Sequence, residues 1–132
     1  MMRLVALLWC LAAPAHAHDD HGPYDDPGTV WQLTQLNGAP FTDMAYLEFP
    51  EIGRIEGQAP CNRFFGEMWS TYPWFKPEDI ATTRMACPAL KSEAIFLQTL
   101  GRMTLAEITD NWLLLTSDDG QSMGFIPAQP GD

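Results

Sequence analysis

The sequence has three histidines, His16, His18 and His21, and none after them. A Ser-His-acid or Cys-His arrangement therefore has no imidazole base across the rest of the chain. Positive charge is also scarce: seven Lys and Arg stand against 17 Asp and Glu, a formal charge of −10. So acidic a surface repels nucleic-acid phosphates and anionic lipid heads, which removes both as expected partners. No apolar run approaches the ~20 residues that a membrane-spanning helix needs. There is no C-x-x-C pair for redox catalysis and no glycine-rich phosphate loop. Asp118-Asp119-Gly120 lacks the spaced ligands of a calcium loop and reads as a hairpin turn. Nothing singles out Glu56, Glu67 or Glu107 as paired hydrolytic carboxylates. The expectation is a protein that is not an enzyme and carries no resident cofactor.

The beginning of the chain is more informative. A basic start with Arg3, an apolar run from Leu4 to Leu11 and the small residues around Ala15 and Ala17 have the layout of a secretory signal peptide over residues 1–17. A lipoprotein anchor at Cys10 would need a small residue before it, and Trp9 stands there. Cleavage after Ala15 or Ala17 satisfies the small-x-small rule, and the expected location is the periplasm or the cell exterior. Removing 17 of the 132 residues leaves a length that suits one domain, expected to be a monomer. Of the three cysteines, Cys61 and Cys87 then remain. Two cysteines in an oxidising compartment are expected to pair. At a separation of 26 residues the chain-entropy model assigns the bridge roughly 3 to 4 kcal/mol.

Residues 18–28 are polar, acidic and broken by Pro23 and Pro27, so they read as a disordered tail ahead of a domain over 29–127. Alternating runs predict strands at Val30–Leu36, with Trp31 and Leu33 inward, and at 45–49 with Ala45, Leu47 and Phe49 inward. Arg54–Gln58 completes a hairpin. Residues 59–66 read as a loop, and 68–74 and 79–85 as two further strands. Residues 88–100 predict the one helix, with Leu90, Ala94, Leu97 and Leu100 inward and Lys91, Glu93 and Gln98 on the polar face. Strands at 105–109, 112–116 and 122–126 follow. This is an α+β layout: a small antiparallel sheet curled toward a partly open barrel, with one helix covering a side.

Three segments carry a resemblance. Trp31-Gln32-Leu33-Thr34-Gln35-Leu36-Asn37-Gly38, Cys61-Asn62-Arg63-Phe64-Phe65-Gly66 and Thr83-Arg84-Met85-Ala86-Cys87-Pro88 are similar to the META domain family, whose bacterial members are called HslJ-like. The late Leu113-x-Leu115 pattern with Gly120 and Phe125 fits as well. The resemblance covers about residues 30–126. It implies a small β-rich domain with one helix, no established catalysis, and a contribution to envelope integrity or stress tolerance. It marks Asn62, Arg63, Phe64, Gly66, Thr83, Arg84 and Met85 as signature residues around the cysteines. Family members usually have glycine before the first cysteine; here Pro60 stands there, and its ring forbids positive φ.

Two candidate sites follow from the residues themselves. Trp69, Tyr72, Trp74 and Phe75, with Arg63 and Arg84, could form a surface for an envelope protein or a small molecule, the basis of an alternative reading as a secreted binding or inhibitor module. His18 and His21, beside a newly cut terminus, could chelate copper or nickel.

Overall fold

The computed structural model describes residues 22–24 and 26–128. Nine antiparallel strands and one helix follow the expected plan. The strands are β1 (Val30–Leu36), β2 (Ala39–Pro40), β3 (Tyr46–Glu48), β4 (Gly53–Gln58), β5 (Arg63–Met68), β6 (Glu78–Thr82), β7 (Leu105–Ile108), β8 (Leu113–Thr116) and β9 (Ser122–Pro127); the helix α1 is Leu90–Leu100. In space the order is β6-β5-β4-β3-β1-β9-β8-β7, with β2 paired to β1. The sheet curls into a half-barrel. Its open side is narrowed by the segment before β6: Ala106 N–H donates to Pro73 O at 2.8 Å and Phe75 N–H to Thr104 O at 2.8 Å.

Alternation explains most of this. Trp31 and Leu33 of β1, Ala45, Leu47 and Phe49 around β3, Leu113 and Leu115 of β8, and Met123 and Phe125 of β9 all point into one core. Asn37-Gly38 ends β1 in a tight turn in which both residues have positive φ, 52° and 78°. In the β3–β4 ladder Gly57 lets the strands and the Phe64 ring meet: a Cβ there would stand 1.9 Å from Tyr46 O. The helix lies over the barrel through Phe96, whose ring centroid is 5.6 Å from that of Phe64. Full burial of such a side chain is worth about 1.5–3 kcal/mol.

Four expectations are corrected. Residues 63–66, expected within the 59–66 loop, instead open β5, which runs to Met68 with Phe64 and Met68 inward. Residues 69–77 form no regular strand; only Trp74 makes an isolated bridge, to Leu105. The strand expected at 79–85 is displaced to Glu78–Thr82. The helix is also turned: Glu93, Phe96, Thr99 and Leu100 are buried while Leu90 and Ala94 are exposed. Turning it this way buries the large Phe96 ring instead of the Ala94 methyl, and it brings Glu93 inside.

The tail expectation also changes for the described part of 18–28. Gly22–Tyr24 is a single 3-10 turn, and Tyr24 is 6% exposed within the core. Its ring packs on Phe49, Tyr72 and Phe75, with centroids 5.0, 5.6 and 6.4 Å away, and its hydroxyl donates to Trp74 O at 2.8 Å. A short polar segment thus plugs the barrel with one aromatic residue. Burial, helped by nearby Tyr72, pushes the Tyr24 phenol well above its ordinary value.

Candidate functional site

The signature residues converge where β5 begins and α1 starts. Cys61 and Cys87 form the expected disulfide, with α-carbons 5.8 Å apart. That lies within the range a relaxed bridge requires. Pro60 is accommodated, its carbonyl oxygen 3.9 Å from Cys87 Sγ. Between the cysteines sits Asn62, 4% exposed. Its Nδ2 donates to Met85 O at 3.1 Å and to Glu93 Oε2 at 2.8 Å. Its Oδ1 accepts from Met85 N–H at 2.6 Å and from the Thr83 hydroxyl at 3.0 Å. An amide has two donors and two acceptor positions, so this one is fully used.

Glu93, 6% exposed, completes the network. Its Oε1 accepts from the backbone N–H groups of Cys61 at 3.0 Å and Asn62 at 2.6 Å, in addition to the Asn62 amide on Oε2. The Thr83 hydroxyl accepts from Arg63 N–H at 3.1 Å, and Thr83 N–H donates to Arg63 O at 3.0 Å. Phe64 is core, and Gly66 permits β6 to approach, since a Cβ there would lie 2.9 Å from Glu78 O. Arg84 and Met85 face solvent. With its inner polar groups paired to one another, this cluster offers a ligand little, and its chemistry is that of a covalent and hydrogen-bonded staple. Sequence reasoning found every member except Glu93. The missed signal was spacing: Glu93 shares the helical stripe of Phe96, Leu97 and Leu100.

The aromatic and arginine residues do not form the single surface expected of them. Arg63 begins β5 whereas Trp69 follows its last residue, Met68, and a strand of that length separates them by roughly 17–20 Å. Arg84 belongs with the disulfide end. Phe75 is fully buried and Tyr72 half-buried, its hydroxyl accepting from Ile108 N–H at 3.2 Å. Trp69 and Trp74 are 67% and 61% exposed. They border two depressions that share Ser70: one of about 150 Å³ with Trp69, and one of about 500 Å³ where Lys76, Arg102 and Asp118 surround Trp74. Lys76 and Arg102 carried no signal in the sequence, because the helix end and the segment before β6 meet only in the fold.

His18 and His21 lie outside the described residues. Among the described residues no group of three or more His, Cys, Asp or Glu could hold a metal ion, and no helix is long and apolar enough to cross a membrane.

A family model described as META domain matches residues 26–130. No curated protein matches the sequence. Two NMR structures are similar in fold. One is 25% identical, with a TM-score of 0.61, covering 79% of this chain and 92% of its own. Another, of a protein from Burkholderia xenovorans, is 20% identical, with a TM-score of 0.63, covering 93% of this chain and 99% of its own.

Proposed function

Because the chain belongs to the META domain family, we propose that it is an HslJ-like exported protein that acts without catalysis in envelope integrity or stress tolerance. The observation that carries this reading is the staple. A disulfide between Cys61 and Cys87, backed by a buried Asn62–Glu93 network, ties the β4–β5 loop to the start of α1. Such a bridge persists where the surroundings are oxidising, and small domains outside the cytoplasm depend on it because their cores are modest. The leader-like start agrees with that compartment. Absence of catalysis rests on the missing imidazole after His21 and on the inward-facing polar atoms of the signature residues.

The test uses the full chain with its own first residues and a C-terminal tag. Cell fractionation followed by thiol alkylation should recover a shortened, oxidised protein outside the cytoplasm. A deletion strain should lose viability under heat or detergent stress and regain it on complementation. A full-length, reduced protein in the cytoplasm would sink the export reading, and unchanged survival of the deletion strain would sink the stress role.

A further inference from the structure

We infer that the Trp69–Trp74 edge is a binding surface for a neutral oligosaccharide. Indole is usually largely buried, and two highly exposed ones bordering depressions that share Ser70 mark an interaction site. Neither sits on a loose loop tip. Trp74 is fixed by its N–H donating to Thr71 O at 2.9 Å, by Tyr24 Oη donating to its carbonyl at 2.8 Å, and by the bridge to Leu105. The Trp69 ring lies over Gly53, φ +83°, where a Cβ would come within 2.4 Å of it. Glycine shields one side of that ring, and the indole remains 67% exposed. The Trp69 ring backed by Gly53 and the anchored backbone of Trp74 reduce the ordering that binding must impose.

What surrounds Trp74 selects the ligand class. Lys76, Arg102, Thr104 and Asp118 line the same depression, over the buried Phe75 and Met103. Donors and acceptors of both charge signs thus ring a single indole. A sugar has the complementary form: a C–H-rich face that stacks on an aromatic ring, and a rim of hydroxyls that both donate and accept. A lipid tail or an apolar peptide anchor would strip water from those four side chains without replacing its hydrogen bonds. An acidic ligand would gain Lys76 and Arg102 but meet Asp118 and a chain of formal charge −10, so long-range repulsion favours a neutral one and the acidic hexamer tests that choice. Because the two depressions adjoin at Ser70, an oligomer rather than a single sugar is the ligand to test.

The inference concerns a surface and holds whichever compartment the chain occupies. The oxidised protein would be titrated, by tryptophan fluorescence and calorimetry, with the glucose hexamer cellohexaose, the N-acetylglucosamine hexamer, the galacturonic acid hexamer and the matching monosaccharides. One neutral hexamer should bind, and more tightly than its monomer. Trp69→Ala and Trp74→Ala should each weaken it about tenfold, with Trp74→Phe recovering part of the loss. Trp112→Ala, an exposed indole outside both depressions, should leave it unchanged. Thermal unfolding would verify that all four variants are folded at the titration temperature. No binding of either neutral hexamer at about 10 mM, binding of the acidic hexamer alone, or neutral binding unmoved by both tryptophan truncations would each overturn the inference.

Discussion

Glu93→Gln is the sharpest test of the staple, since it changes one atom of a buried side chain and almost nothing of its shape. The carboxylate receives three donors: Cys61 N–H and Asn62 N–H on one oxygen, and Asn62 Nδ2 on the other. Glutamine can present an oxygen to one of these positions only, so whichever way its amide turns, an NH₂ faces a donor. Asn62 cannot flip to help, because its Oδ1 already holds Met85 N–H and the Thr83 hydroxyl. The substitution therefore loses at least one charge-assisted hydrogen bond and leaves a donor unmatched, about 2–3 kcal/mol. Glu93→Ala abandons all three donors and should cost roughly 3–5 kcal/mol. In a domain of this size each kcal/mol moves the midpoint by about 4–8 °C, so Glu93→Gln should melt roughly 10–20 °C below the parent. Thermal unfolding of the oxidised protein, followed by circular dichroism, reads this directly. A Glu93→Gln protein melting within about 2 °C of the parent would refute the reasoning.

Replacing both Cys61 and Cys87 by Ala should remove about 3–4 kcal/mol, and reductant should lower the parent's urea midpoint to that of the variant while leaving the variant unmoved. Tyr24→Phe, losing the bond to Trp74 O, should cost about 1 kcal/mol in urea unfolding. Tyr24→Ala should cost about 3–5 kcal/mol, and a loss below about 0.5 kcal/mol would show that the plug is ornamental. Glu48 stands directly across the ladder from Glu56; desolvation, then the hydrogen bond and charge of Glu56, raise its carboxyl above the ordinary value, with Arg63 opposing. A raised acid favours folding while protonated, and that contribution fades as pH climbs through its folded value. Glu48→Gln should therefore raise the melting temperature at neutral pH, with the gain disappearing toward pH ~4; an equal gain at both pH values would count against the pairing.

Alternation made β1 and β3 legible with their inward residues Trp31, Leu33, Ala45, Leu47 and Phe49, while β8 and β9 were legible as strands between turns. β5 was hidden by Gly66, which occupies an inward register position between Phe64 and Met68 and so breaks the alternation with a residue that has no side chain. The run of aromatics from Trp69 to Trp74 read as strand because such residues favour pleated, half-buried surfaces, whereas here only a three-residue crossing meets β7. Glu93 was placed outside because charge ordinarily faces water; its partners are backbone N–H groups some 30 positions earlier, which local periodicity cannot reveal. The disulfide was legible because the pairing of two cysteines is a chemical matter that needs no knowledge of the fold, whereas the signature residues came from the family resemblance. The grouping of Lys76, Arg102 and Asp118 around Trp74 was not, since it exists only once the helix end, a loop and a hairpin turn have met.

The place of β9 has a consequence for how the molecule comes into being. The final strand lies between β1 and β8, with Phe125 opposite Leu33 and Ile126 opposite Gln32. A chain threaded N-terminus first, whether from a ribosome or through a translocation pore, can pair β3, β4 and β5 early and close the Cys61–Cys87 loop. It must leave one edge of β1 unsatisfied until β9 has emerged. Assembly is thus late and dominated by distant pairings, which makes it slow compared with helical domains. A cross-link closed at that stage would hold the first half of the sheet in order while β1 waits for its neighbour.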